Sequence, residues 1–234
     1  MHMNILIACE ESQAICTEMR SLGHTAFSCD IIECSGGHPE WHIMSDCIPI
    51  LNGKCTFKTM DGTEHNIDKE WDMIIAHPPC TYLTISANKY YSIEQYGDKA
   101  IQRMALREEA KDFFMQFIHA NCERIAVENP VGVMSTYYRK PDCIVSPHMF
   151  GDPVSKKTCF WLKGLPKLEP TNIVDVKRIH SSGKSGGYSG PLWYATDENG
   201  NILSWNDPRT AKIRSKTYPG IAKAIAEQWA GNAN

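Results

Sequence analysis

The sequence predicts an α/β protein built on a doubly wound, mostly parallel sheet, and three observations carry that expectation. The first thirty residues read as strand, helix, strand. A short β-branched run, Met73 to Ala76, is apolar at every position and is stopped by two prolines. A long helical pattern, Ala100 to Asn121, then feeds directly into another strand, Arg124 to Val127. Strands buried on both faces lose the polar alternation of half-exposed ones, and parallel neighbours need crossovers of about this length.

With 234 residues and 42% hydrophobic content, the chain is long enough to bury a full core. No apolar stretch approaches the roughly 18 residues that span a bilayer, and the opening residues carry no signal-like segment. A soluble, cytoplasmic protein with no membrane partner is expected. Ten cysteines are scattered along the chain, several inside strand-like runs (Cys9, Cys29, Cys159), and no CxxC pair suggests zinc. Reduced thiols and no metal site are therefore expected. The net charge of −3 hides an asymmetry: residues 1–80 hold 4 Lys and Arg against 12 Asp and Glu, and residues 81–234 hold 20 against 15. The acidic front suits a cationic or hydroxyl-rich small molecule, and the basic rear suits phosphate.

Asn4 to Cys9 reads as the first strand. Ser12 to Leu22 follows as a helix with Ile15, Met19 and Leu22 on one face, ended by Gly23. Thr25 to Cys29 is the second strand, closed by Asp30, which stands where an acidic residue accepts hydrogen bonds from ribose hydroxyls. The turn between the first strand and its helix reads Ala8-Cys9-Glu10-Glu11-Ser12-Gln13, without the expected glycines. Residues 34–46 contain a turn and a short third strand ending at Asp46. Lys54 to Ile67 reads as a surface hairpin with Asp61-Gly62 at its tip.

After the strand Met73 to Ala76 come His77-Pro78-Pro79-Cys80. Neither proline donates an N–H, so the ladder stops and a thiol is set just past a strand end, where ligands of open α/β sheets bind. Thr81 to Lys99 is polar and aromatic, with Tyr82, Tyr90, Tyr91 and Tyr96, and is long enough to close over a site. In the helix that follows, Ile101, Met104, Ala105, Phe113, Phe114, Phe117 and Ile118 form a broad apolar pattern. The strand Arg124 to Val127 ends in Glu128-Asn129-Pro130. Two strand ends thus bring a thiol and a carboxyl to one edge of one sheet.

Beyond residue 131 the strand Thr158 to Leu162 is clear. Residues 180–208, rich in Gly, Ser, Asn and Asp with Tyr188, Trp193, Tyr194 and Trp205, read as an irregular lobe or small hairpins. Tyr218 to Trp229 closes the chain as a helix with Ile221, Ala224, Ile225 and Trp229 on one face. The expected organisation is one catalytic domain, 1–164 plus 211–234, with a small lobe at 165–210.

With these residues placed, the chain resembles the cytosine-C5 DNA methyltransferases, in particular short members of the phage type. The likeness rests on Pro79-Cys80 after the fourth main strand, on Glu128-Asn129-Pro130 after the fifth, and on Thr217 to Ala226 with Gly231-Asn232 at the end. It implies a Rossmann-like catalytic domain that uses S-adenosylmethionine and binds DNA, in the host cytoplasm if the chain is phage-encoded. Cys80 would be the nucleophile and Glu128 its partner on the base, with Pro79 and Asn129 shaping the site. The cofactor set it implies is Asp30 for the ribose hydroxyls, Asp46 for the adenine amine, and Ala8, Cys9, Glu10, Ser12 and Gln13 for the methionine part. Ile31, Cys47, His77 and Pro78 complete that set.

The chain departs from the family in three ways. The first turn lacks Phe-x-Gly-x-Gly, and Thr81 stands where glutamine is common. No Gln-x-Arg-x-Arg segment follows the sixth strand, for which Lys156 and Lys157 are weak substitutes. The target-recognition region is reduced to the lobe with Lys177, Arg178, Lys184 and Arg209, which would contact DNA in a short footprint or with a second subunit, as a homodimer. Two alternatives stay open: a related methyltransferase acting on a smaller or single-stranded substrate or on an amine, and an idle member that binds nucleic acid or protein.

Overall fold

The computed structural model describes residues 1–181, 188–191, 199, 203–204 and 207–233. In chain order the elements are β1 (Asn4–Ala8), α1 (Ala14–Ser21), β2 (Thr25–Asp30), β3 (His42–Met44), β4 (Cys55–Lys58), β5 (Glu64–Ile67), β6 (Met73–Ala76), α2 (Ile93–Tyr96), α3 (Asp98–Ile118), β7 (Ile125–Pro130), α4 (Met134–Tyr137), β8 (Cys143–Val145), β9 (Thr158–Lys163), β10 (Arg178–Ser181), β11 (Tyr188–Pro191), α5 (Pro208–Ser215) and α6 (Pro219–Ile225).

Seven strands form the central sheet in the order β3-β2-β1-β6-β7-β9-β8. The first five run parallel, and β9 lies antiparallel to both β7 and β8. From β1 the chain passes one way to β2 and the other way to β6, so a crevice opens at the carboxyl ends of β1 and β6, the usual ligand position in such sheets. The uniformly apolar strands follow from burial on both faces. Leu6, Ala8, Ile74 and Ala76 point into a core with Phe114, Phe117 and Trp161, whereas Ile5, Ile7, Met73 and Ile75 point into one with Ile15, Met19, Ile225 and Trp229. Helix α3 therefore covers one face, and α1 with α6 covers the other. The expected α/β class and mostly parallel sheet are those observed. No helix among the described residues is long and apolar enough to cross a membrane.

Several expectations shift. The expected strand end at Val127 is too early: β7 runs to Pro130 because antiparallel β9 pairs with it there, Glu128 opposite Phe160 and Asn129 opposite Cys159. Helix α1 starts at Ala14 rather than Ser12, since Gln13 is left-handed. Ile101 and Met104 of α3 are 53% and 37% exposed rather than buried, because the first turns of that helix face the tyrosine loop instead of the sheet. Strand β8 and helix α5 were not anticipated.

The segment just past residue 165, where the lobe was expected to begin, is hydrogen-bonded to residues 228–229. Trp229 Nε1 donates to the Pro166 carbonyl at 3.0 Å, and Gln228 exchanges two hydrogen bonds with the Glu169 backbone. These contacts tie the start of the lobe to the end of the chain. Beyond it, β10 and β11 pair antiparallel. Lys184, Trp193, Tyr194 and Trp205 lie outside the described residues.

Candidate active site

The turn after β6 is built by its neighbours. The His77 N–H donates to the Ala8 carbonyl at 2.9 Å, extending the parallel ladder by one residue, and the two prolines then end it. Past them the Cys80 carbonyl accepts from the Leu83 and Thr84 N–H groups at 3.0 and 3.2 Å, which folds the chain back and leaves the thiol half-buried at the sheet edge. The end of β7 is clamped to this turn. Asn129, 1% exposed, donates from Nδ2 to the Pro78 carbonyl at 2.8 Å. Val133 N–H donates to the Leu83 carbonyl at 2.8 Å and Ile85 N–H to the Val131 carbonyl at 3.2 Å, so the loops after β6 and β7 pair with each other.

Glu128 and His77 meet across this clamp, with His77 Nδ1 3.2 Å from Glu128 Oε2. His77 thus contacts the carboxylate while its backbone N–H is held by Ala8 at the end of β1, beside the turn to which the resemblance assigned the cofactor. The tool for that arrangement is its ring: one nitrogen holds Glu128 and the other, Nε2, is buried without a hydrogen-bond partner among the described residues. Asn129 likewise fixes the turn through Nδ2, and its Oδ1 is buried without a hydrogen-bond partner among the described residues. Pro78 is buried, and Pro79 is exposed beside the thiol.

Burial pushes the Cys80 thiol above its ordinary pKa, and the negative charge of Glu128 pushes it further. Lys156 and Arg214 pull it the other way. These two cations come from the approach to β9 and from α5. Lys156 Nζ donates to the Arg214 carbonyl at 2.8 Å and lies 5.9 Å from the centre of the Tyr218 ring. Their place beside the thiol was not readable from the sequence, because 76 and 134 residues separate them from Cys80. Only Lys156 drew notice there, as a weak stand-in.

The turn after β1 solves its lack of glycine at a cost in strain. Cys9 and Gln13 both adopt left-handed backbone, φ 59° and 58°, which non-glycine residues seldom do. Side chains hold the shape. Gln13 is fully buried, donating to the His38 carbonyl at 2.8 Å and to Ser28 Oγ at 3.2 Å while accepting from the His38 N–H at 3.0 Å. Glu10, also buried, accepts from the Ile15 and Cys16 N–H groups at the start of α1, at 2.7 and 3.3 Å. Both were expected to contact cofactor, and both are instead used up inside the turn. Ala8 is buried with its carbonyl taken by His77, and Cys47 is buried near Cys9, where this neighbour and burial push the Cys9 thiol above its ordinary pKa.

What remains open along the carboxyl edge is acidic. Asp30 is half-buried, with burial raising its pKa against the hydrogen bonds it accepts from the Ile32 and Ile31 N–H groups. Ile31 beside it is 76% exposed, an unusual setting for an isoleucine. Asp46 is exposed, accepting from the Ile48 N–H at 3.0 Å, and Ser12 is half-buried. Glu11 was not singled out in the sequence. Its Oε2 is buried without a hydrogen-bond partner among the described residues, within electrostatic reach of Asp30. A carboxylate oxygen left so is suited to a ligand's N–H or cation.

Burial pushes Glu10 up to about 7, against the pull of His77 and of its two backbone donors. Between its ordinary 4.5 and that value the unfolded chain releases the proton while the folded chain keeps it. Stability is fully present below that window and falls by about 3 kcal/mol as pH rises through it. Glu10→Gln should remove this slope. Melting curves from pH 4.5 to 7.5 should show the wild type losing roughly 6–12 °C relative to the variant. Parallel curves would show that Glu10 does not hold its proton in the fold.

In comparisons with known proteins, no family model matches the chain and no curated protein matches it.

Proposed function

We propose that this chain is an S-adenosylmethionine-dependent methyltransferase that acts on carbon 5 of cytosine in DNA through a covalent adduct with Cys80. The observation that carries the reading is the clamp itself: a thiol and a carboxylate from adjacent parallel strands, fixed to one another by Asn129 and by pairing of the two loops. An inert buried cysteine would have no use for a largely buried carboxylate held in place by a histidine.

Carbon 5 of cytosine is too weak a nucleophile to attack a methyl sulfonium unaided. Addition of the Cys80 thiolate at carbon 6 converts the ring to an enamine, splitting one hard step into easier ones. Glu128, oriented by His77, would hydrogen-bond ring N3 and the exocyclic amine, favouring the protonated ring that accepts the thiolate. Lys156 and Arg214 favour the thiolate over the thiol. A base in duplex DNA is out of reach of such a pocket, so the target is taken out of the stack, with the loop from Thr81 closing over it.

The open residues of the carboxyl edge fit the cofactor. It would supply an electrophilic methyl group and carries positive charge on its sulfonium and ammonium, which Glu11 and Asp30 match in sign. Asp30 would take the ribose hydroxyls, Asp46 the adenine amine, Ile31 the adenine face, and the unpartnered Glu11 oxygen the ammonium.

The reading is tested by incubating the protein and cytosine-containing DNA with cofactor carrying a tritiated methyl group, then digesting the DNA to nucleosides. Label in 5-methylcytosine is expected. Label in an N-methylated base would assign amine chemistry instead, and no label in DNA of any form would overturn the proposal.

A further inference from the structure

A second cleft lies beside the Cys80 turn and contains none of the proposed catalytic groups. Tyr82 and Tyr90 of the loop and Tyr96 of α2, with Lys99, Arg103 and Leu106 of α3, line a space of about 280 Å³. The three α3 residues recur at spacings of four and three and so share one helix face. The Arg103 guanidinium lies 4.9 Å from the centre of the Tyr82 ring and 5.1 Å from that of Tyr90, and its Nε is buried without a hydrogen-bond partner among the described residues. Among those residues no carboxylate pairs with Lys99, Arg103 or Arg107. Residues 81–107 hold four Lys and Arg against two Asp and Glu.

Cations held on ring faces rather than by acids, in a cleft walled by further rings, form a surface for a stacked base and its phosphate. A purely structural role fits less well, because Tyr90 is exposed and the first turns of α3 bury little apolar surface. The cleft is joined to the active turn through the backbone. Arg107 Nε donates to the Tyr82 carbonyl at 2.9 Å, and Arg103 Nη2 reaches the Thr81 carbonyl at 3.4 Å. Two residues of chain, at most about 7 Å, separate Tyr82 from Cys80.

We propose that this cleft is a nucleotide subsite for the strand that flanks the target base: a neighbouring base stacks on Tyr90 and Tyr96, and Arg103 and Lys99 take its phosphate. The proposal rests on the nucleic-acid reading of the Cys80 site and adds single-strand contacts that do not depend on cytosine.

The probe is a fluorescent ten-nucleotide strand of thymidine alone, titrated with the wild type, Tyr90→Ala and Lys99→Gln at several salt concentrations. Both side chains are exposed, and circular dichroism checks that the variants fold. Tyr90→Ala is expected to weaken binding about fivefold or more, the loss of one base–aromatic stack. Lys99→Gln is expected to lower the slope of log Kd against log salt by about 0.7, one phosphate contact on a single strand. If the wild type does not bind the strand, or the variants match it in affinity and slope, the subsite is overturned. Because the strand holds no cytosine, failure of cytosine methylation with these contacts intact would count against the Cys80 reading alone.

Discussion

Cys80→Ser should form no adduct with DNA carrying 5-fluorocytosine in the presence of cofactor, whereas the wild type should give a covalent complex that survives denaturation. A fluorine at carbon 5 cannot leave as a proton does, so the chain stays bound to carbon 6 and the complex accumulates. An adduct with Cys80→Ser would remove the mechanism altogether. Glu128→Gln gives a more discriminating result. Glu128 is the largest source of negative charge that raises the Cys80 pKa, after burial. Its neutral isostere should therefore ionise the thiol more readily, and iodoacetamide should alkylate Cys80 faster at pH 8, read by peptide mass because nine other cysteines are present. Methyl transfer by the same variant should fall by about 10²–10⁴-fold, since the carboxylate proposed to hydrogen-bond and orient the base is gone. A change of both rates in the same direction would assign Glu128 a structural role. The direction of the split is what distinguishes a catalytic carboxylate from one that only props the turn.

The parts of this site that depend on local chain chemistry were readable in the sequence. Met73 to Ala76 is a strand because it is short, branched and apolar, and it ends at Ala76 because neither Pro78 nor Pro79 can extend the ladder. Asp30 lies at the tip of β2 for the same kind of reason. What depended on distant partners was not readable. Glu128 stays inside a strand because β9 returns antiparallel beside it, and no property of Glu128-Asn129-Pro130 announces that neighbour. The left-handed turn at Cys9 and Gln13 was hidden because the usual signal is glycine, and this chain reaches the same shape by burying the Gln13 amide against His38. The contact of His77 with Glu128 was hidden as well, because 51 residues separate the two in the chain. In α3 the apolar residues at Ile101 and Met104 imitate a core face, yet the helix reaches the sheet only near Phe114 and Phe117.

Gly132→Ala should damage the site more than any other single methyl group added outside it. Gly132 lies opposite Thr84 where the loops after β6 and β7 pair, and an added Cβ would run into the Leu83 carbonyl oxygen. That oxygen is backbone and already accepts from the Val133 N–H, so it cannot move without breaking the pairing that fixes Cys80 relative to Glu128. Overpacking of this kind costs about 1–3 kcal/mol. For a chain of this size it lowers the melting temperature by roughly 2–4 °C for each kcal/mol. The effect on chemistry should be larger than the effect on stability, because a displacement of about 1 Å between reacting groups can cost about 10²-fold in rate. Measured well below the melting temperature, Gly132→Ala should therefore retain its circular dichroism spectrum and lose most of its rate of adduct formation on 5-fluorocytosine DNA. Equal losses in folded fraction and in rate would attribute the defect to unfolding alone. An unchanged rate in a folded variant would show that the paired loops do not set the distance between thiol and carboxylate. A rate lost while the fold is kept would identify this glycine as the hinge on which the two strand ends meet.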